Sequence, residues 1–266
     1  MTRASALAGA RVHAVGVVSG WGDGIAALPH DAKTAAAGRA IIPLARPTRS
    51  GERFRRATRE CVLGVAAVDA LLEGARMPRE QIRGERTALI YCTAAAYGAS
   101  NRGFIEKPAG ALHFPYTAPS AVPAEVAIEF GLTGSYVILI GGSTATIDGL
   151  WQAAMLVARG AADHAIVLAV ETFTECAELF ERHQRLLGAP LVEAAAAALI
   201  VPGPDLPRYG MDSDDAMNPE TVATRAGETL ACAPLLALAL ALEAGRVPSV
   251  TGQWRGRRAA LAWERA

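Results

Sequence analysis

The chain has 266 residues, with 26 basic and 26 acidic side chains and 52% hydrophobic residues. This composition predicts a folded protein with a sizeable core, and it excludes a disordered chain or a nucleic-acid-coating protein. The four cysteines form no Cys-x-x-Cys pair, so neither a disulfide framework, nor a zinc site, nor any other metal or cofactor is expected.

The distribution of apolar residues does not favour a membrane protein. The first twelve residues contain no sustained apolar run, so a secretory leader is not expected and a cytoplasmic protein is. The longest apolar stretch, 230–242, is shorter than the about 20 residues that a membrane span needs. It predicts a buried core helix instead.

In the first half of the chain, hydrophobic periodicity and turn residues predict two strands and two helices. A long loop rich in proline, glycine and alanine separates the first strand from the first helix, and Gly131 ends the second helix. The predicted elements are the strand 11–18, the loop 25–52, the amphipathic helix 54–72, the strand 87–92 and the helix 120–130.

In the second half, strands and helices alternate. The predicted elements are the strand 136–140, the helix 145–159, the strand 165–170, the helix 174–187 and the strand 195–201. This order predicts an α/β protein with mainly parallel pairing, because parallel strands need a crossover that a helix usually makes. The stretch 202–218, rich in proline, glycine and aspartate, is the best candidate for a linker.

Two predicted helices, 145–158 and 230–242, are apolar nearly all round rather than on one face. A helix of this kind has to be covered on every side. We therefore expect a layered architecture in which these helices lie between two sheets.

Several consecutive segments, 114–120 (FPYTAPS), 127–134 (AIEFGLTG), 159–163 (RGAAD) and 165–171, make the sequence resemble the β-ketoacyl synthases of the thiolase-like superfamily. The resemblance implies a thiolase-like layered αβαβα fold with a complete N-terminal half and a truncated C-terminal half. It divides the chain into a β-ketoacyl synthase N-terminal-like domain at 1–204, a linker at 205–224, and a remnant of the C-terminal half at 225–266 that packs on the same core.

The resemblance also implies that the catalytic residues are degenerate. Ser143 stands where the family keeps its nucleophilic cysteine, whose thiolate accepts the acyl group. Glu228, in the segment 227–230 (GETL), stands where the family has a histidine of a Gly-His-Thr motif. A carboxylate there is an acceptor where oxyanion stabilisation requires a donor.

What the resemblance implies about function is a non-catalytic subunit of the chain-length-factor type, which pairs with an active β-ketoacyl synthase as a heterodimer and shapes its acyl tunnel. The pathway class is fatty acid or polyketide-type biosynthesis, and the chain length most resembles the small synthase-like subunits of aryl polyene pathways. The partner and an acyl carrier protein would hold the phosphopantetheine-linked acyl chains. The residues expected at the dimer seam or tunnel are Leu112, Phe114, Tyr116, Thr117, Tyr136, Ile138 and Ile140.

A physical argument adds to this expectation of a partner. The connection after Val201 is short where family members have a long segment, so part of the second layer that should cover the helix 230–242 is expected to be missing. A partner chain would then supply that cover, and the isolated chain would expose a large apolar patch.

Two alternatives remain open from the residues. The segment 141–145 (GGSTA) approximates the nucleophile elbow of α/β-hydrolases, which would make Ser143 the nucleophile of an acyltransferase or hydrolase; only His164 and His183 follow it as candidate bases. A stand-alone acyl-binding homodimer would need no synthase.

The arginine run could contact an acidic carrier protein, or form a solvated helix face; it consists of Arg49, Arg53, Arg55, Arg56 and Arg59.

Overall fold

The structure, a computed structural model, describes residues 9–106, 114–178, 188–210, 219–246 and 248–265. Within these ranges the strands are β1 (Ala10–Ser19), β2 (Gly22–Asp23), β3 (Ile41–Ile42), β4 (Thr87–Thr93), β5 (Tyr136–Ile140), β6 (His164–Glu171), β7 (Leu191–Val192), β8 (Ala194–Pro202), β9 (Asp205–Gly210), β10 (Ser249–Trp254) and β11 (Arg257–Arg265). The α-helices are α1 (Ala32–Ala36), α2 (Glu52–Arg56), α3 (Arg59–Ala75), α4 (Gly98–Glu106), α5 (Ala121–Phe130), α6 (Ser143–Ala158), α7 (Pro219–Ala226) and α8 (Ala233–Glu243).

The main sheet has six strands in the order β2-β1-β8-β6-β4-β5. β4 runs parallel to both β5 and β6, but β8 is antiparallel to β6 and to β1. The prediction of mainly parallel pairing is therefore wrong for this half of the sheet. Ala194, the first residue of β8, lies opposite Glu171, the last residue of β6. β8 therefore begins where β6 finishes and runs back along it, which makes the pair antiparallel.

The helices and sheets form successive layers. α3 and α5 pack on one face of the main sheet, and α6 and α8 pack on the other. A second sheet, in the order β10-β11-β9, covers the outer side of α6 and α8. The predicted layered α/β fold, with helices between two sheets, is confirmed, and the three strands of the second sheet against six in the first agree with a shortened C-terminal half.

α8 is covered by this chain itself, which corrects the expectation that a partner covers it. Every residue from Pro234 to Ala241 is buried, because β1 and β8 lie on one side of the helix, β10 on another, and α7 against a third. The three-stranded second sheet is sufficient to cover the helix, so the argument for a partner from an uncovered helix fails.

The predicted linker at 205–224 is also corrected. Its first residues form β9, which pairs with β11 along its full length, and its last part forms α7. The predicted loop 25–52 contains α1 and β3, and the predicted helix 54–72 is two helices, α2 and α3. Of the helix predicted at 174–187, the described residues contain a short 3-10 turn, Thr174–Cys176, followed by two helical residues, 177–178, and 179–187 lies outside them.

A buried ion pair joins the start of α3 to the residue between β7 and β8. The guanidinium of Arg59, at the start of α3, donates to Glu193 (2.6 and 2.8 Å), whose side chain is fully buried, and also to Glu175. Burial alone would raise the pKa of Glu193, but the hydrogen bonds and charge of Arg59 outweigh that effect and hold the pKa at about 2.

The other arginines of the run are also largely paired within the chain. Arg49 binds Asp69, and Arg53 binds Glu125 and Glu129, while Arg55 is exposed beside Glu52. Within the run, Arg49, Arg53 and Arg59 form ion pairs inside the chain, whereas Arg55 and Arg56 are exposed.

All four cysteines are buried and reduced. Burial raises the pKa of Cys61 and Cys92 to about 12, so both thiols are protonated packing residues at neutral pH. None of the helices in the described ranges has both the length and the apolar character needed to cross a bilayer.

Candidate functional site

The turn between β5 and α6 carries the residue in the predicted nucleophile position. Gly141 and Gly142 link the strand to the helix, and Ser143 is the first residue of α6, two residues before the predicted start. The ring of Trp254, at the end of β10, lies directly against Gly142, where any Cβ would overlap it. Glycine is therefore required at position 142, and the β10–β11 hairpin covers the turn.

Ser143 is held by the same hairpin. Its hydroxyl donates a hydrogen bond to the backbone carbonyl of Gln253 at 3.0 Å. The strand passes so close that a Cβ on Gly252 would lie 2.7 Å from the Ser143 Oγ. The serine proton is thus directed at a carbonyl oxygen, which cannot act as a general base.

Ser143 and Glu228 line one cavity of about 390 Å³ beneath the hairpin. The structure therefore brings together the two positions that sequence reasoning singled out at distant points of the chain. The described histidines, His13, His30 and His164, do not line this cavity, and His113 and His183 lie outside the described residues.

The backbone of Glu228 is fixed by a bridge to the segment before β8: its N–H donates to the Pro190 carbonyl, and its own carbonyl accepts from Val192, both at 2.9 Å. One carboxylate oxygen accepts the N–H of Leu230 at 2.7 Å. Burial raises the pKa of Glu228, and the hydrogen bond from Leu230 only partly opposes this. The position where the family has a histidine is therefore occupied by a hydrogen-bond acceptor, the Glu228 carboxyl, in a poorly solvated part of the cavity wall.

Glu171, at the end of β6, is a second buried carboxyl near this region, and sequence reasoning gave it no role. It accepts the backbone N–H groups of Ala94 (2.6 Å), Ala95 (2.9 Å) and Ala231 (3.3 Å). Complete burial raises its pKa to about 8, against the opposing effect of these donors. Glu171 fixes the loop after β4 to the turn that precedes α8, and thereby positions the segment that carries Glu228.

The predicted seam residues of β5 lie elsewhere, at the free edge of the main sheet. β5 is the terminal strand of the order, and the side chains of Tyr136 and Ile140 are 59% and 52% exposed, while Ile138 packs partly on the core. Phe114 is 62% exposed in a short 3-10 turn that also contains Tyr116 and Thr117. Leu112 lies outside the described residues.

The two outer edges formed by β5 and β9 differ in how they are protected. β5 reads YVILI, without charge, proline or glycine, and such an edge readily pairs with another strand. β9, at the edge of the second sheet, contains Pro207 and a charged Arg208 that pairs with Glu264 across the strand pair. Proline and charge are the usual protection of an edge, and β5 has neither, so β5 is an edge open to pairing.

Sequence reasoning missed Gln253 and Trp254, the hairpin residues that cover the Ser143 turn. The available signal was the segment 254–257 (WRGR), in which Arg255 and Gly256 take positive φ angles of 49° and 82°, as a two-residue hairpin turn requires. The signal identifies a turn but does not say which part of the chain the hairpin covers. Among the side chains that the structure describes, no group of three or more is placed to hold a metal ion.

Comparisons with known proteins identify the family and the fold. The model of the Beta-ketoacyl synthase, N-terminal domain family matches residues 47–186, and no curated protein matches the chain. Similar solved structures include a chain from the complex of a type II PKS acyl-carrier protein with its ketosynthase, which is 13% identical, with 97% of this chain and 99% of that chain covered and a TM-score of 0.72.

Two further solved structures have the same fold. The ishigamide ketosynthase/chain length factor is 16% identical, with 96% of this chain and 98% of that chain covered and a TM-score of 0.68. A β-ketoacyl synthase from Burkholderia phymatum STM815 is 13% identical, with 97% and 100% covered and a TM-score of 0.69. At sequence identities of 13–16%, these comparisons show a shared fold.

Proposed function

The chain belongs to the β-ketoacyl synthase family, and we propose that it is a non-catalytic, chain-length-factor-like subunit that pairs with an active β-ketoacyl synthase. In this role it would stabilise the partner and shape its acyl tunnel in polyketide-type or fatty acid biosynthesis, with an aryl polyene pathway as the specific proposal. The acyl chains would be carried on phosphopantetheine by the partner and an acyl carrier protein.

The observation that carries the proposal is the state of Ser143. Its hydroxyl is hydrogen-bonded to the Gln253 carbonyl, and the cavity that it lines contains a carboxyl, Glu228, but none of the described histidines. Condensation needs an acidic thiol as nucleophile and hydrogen-bond donors for the developing oxyanion. A serine whose proton is bonded to a backbone carbonyl, in a cavity that presents a carboxyl, supplies neither.

The β5 edge supports the pairing part of the proposal. A ketosynthase of the same layered fold would offer a comparable edge strand, and two such strands can extend one sheet through both subunits. In that arrangement Tyr136, Ile138 and Ile140 would lie beside the partner and could close its tunnel. One of the solved structures with this fold is the ishigamide ketosynthase/chain length factor.

The decisive experiment is co-expression with an active β-ketoacyl synthase from the same genome, followed by size-exclusion chromatography with light scattering. A condensation assay is then run with and without this chain. We expect a one-to-one complex, condensation that depends on this subunit, and no change on Ser143→Ala, because the hydroxyl takes no part in the reaction.

Two results would overturn the proposal. Covalent labelling by a serine-directed phosphonate that disappears in Ser143→Ala would identify a serine acyltransferase or hydrolase. A monodisperse homodimer that binds no co-expressed synthase would identify a stand-alone protein.

A further inference from the structure

The cavity beside Ser143 has the size and walls of a small-molecule site. Its volume of about 390 Å³ lies within the range of about 300–1,000 Å³ typical of ligand pockets. Val222 of α7, Leu230, Ala233 and Ala237 of α8, and the ring of Trp254 supply an apolar surface. A ligand with an apolar body of modest size fits these walls.

Glu228 places a carboxyl in the wall of this cavity. One of its carboxylate oxygens accepts the N–H of Leu230, and among the described residues no cationic side chain forms an ion pair with it. Arg225, three residues earlier, directs its guanidinium at the carbonyls of Leu28 and Pro29. A mostly buried carboxyl without a cation is an unfavourable arrangement that a cationic ligand would relieve.

The remaining charged residues do not remove this preference. Glu220, on α7, adds a second carboxyl to the wall. Arg255 also lines the cavity, but its side chain is exposed and its guanidinium lies 5.7 Å from the centre of the Trp254 ring. The preference for a cation therefore rests on the Glu228 carboxyl, which forms no ion pair with a described cationic side chain, and the apolar walls accommodate the rest of the ligand.

We infer that this cavity binds an organic cation, a primary ammonium carried on a small alkyl or arylalkyl group, with the ammonium paired to Glu228 and the apolar body against α8. The same charge disfavours an anionic or enolate ligand at this position. This inference concerns a ligand site of the chain itself and holds whether or not a synthase partner binds at β5.

The test is titration calorimetry of the full chain with benzylamine, using benzyl alcohol as the uncharged probe of the same shape. We expect the amine to bind at least about tenfold more tightly than the alcohol, and Glu228→Gln to remove this difference while its amide oxygen still accepts the Leu230 N–H. Glu220→Gln is the matched control, and we expect it to retain most of the preference. Ala233→Leu, which fills the cavity, should weaken both probes.

Equal binding of the two probes, no binding of either, or an undiminished preference in Glu228→Gln would overturn the inference. If Glu228→Gln does not fold, the amine-to-alcohol ratio of the unaltered chain and the weaker binding of both probes to Ala233→Leu decide the question. Light scattering with the synthase is a separate readout. A complex without amine binding refutes this inference alone, and amine binding without a complex refutes only the proposed function.

Discussion

Lysine at both ends of β5 should break the proposed complex without unfolding the chain. In the variant Tyr136→Lys/Ile140→Lys, two side chains that are 59% and 52% exposed in the isolated chain are replaced, so little of the chain's own core is lost. A charge on an edge strand is also a natural means of preventing strand pairing. The chain should therefore keep its melting temperature to within a few degrees.

The magnitude follows from the exposed fractions. Full burial of a large apolar side chain contributes about 1.5–3 kcal/mol, and here roughly half of each side chain remains to be buried by a partner. The two positions together then supply about 1.5–3 kcal/mol of binding free energy. At about 1.4 kcal/mol per tenfold change in Kd, their loss weakens the complex roughly tenfold to a hundredfold.

The assay is sedimentation or light scattering of the chain with its synthase over a series of concentrations. Ile140→Lys alone should produce about half the change in free energy, and Leu206→Lys, which puts the same charge on the protected β9 edge, should produce none. A complex of unchanged Kd in the double variant, or an equal loss in Leu206→Lys, would refute the assignment of β5 as the pairing edge.

Three further predictions concern the chain alone. Glu193→Gln leaves Arg59 without its buried partner and should lower the free energy of unfolding by about 3–5 kcal/mol; the stability that Glu193 provides is complete above its ordinary pKa near 4.5 and should be lost as the pH falls towards about 2, which urea unfolding at several pH values measures. Gly142→Ala places a methyl group in the Trp254 ring and should cost about 1–3 kcal/mol, and Trp254→Ala in the same chain should recover part of that loss in thermal melts. Glu171, whose pKa is raised to about 8, holds a proton in the folded chain that the unfolded chain releases above about pH 4.5, so stability should fall as the pH rises from 4.5 to 8; Glu171→Gln should flatten that part of the profile, and an unchanged slope would contradict the assignment.

The central layers of the fold could be predicted from the sequence. The strand predicted at 136–140 matches β5, and the all-round apolar helices 145–158 and 230–242 do lie between two sheets, because a helix without a polar face has no stable place at a surface. The direction of β8 was not predictable from alternation, since strand periodicity contains no information about pairing direction.

The linker was the clearest error, and its cause is physical. The segment 205–210 contains Pro207 and alternates irregularly, which by itself predicts a loop. β9 forms because β11 offers it a continuous row of backbone partners, and a proline is tolerated on its outer edge. Tertiary pairing overrode the local signal.

For the site, the resemblance identified the two degenerate positions, and the fold brings both into one cavity. What no local pattern could supply was the placement of the β10–β11 hairpin over the Ser143 turn, because residues about 110 positions apart meet there. Contacts of that kind depend on the whole topology and carry no periodicity in the sequence.

The position of α6 between the two sheets has a consequence for the order in which the chain can fold. One face of this helix is covered by β4 and β6, but the other is covered by β10 and β11, which follow it by about a hundred residues. During synthesis the first sheet and its helices are therefore complete while one side of α6 is still in water. Contacts so distant in sequence form slowly, so the closing of the C-terminal hairpin is expected to be the last and rate-determining step of folding, and the interval before it is when the chain is most exposed to aggregation.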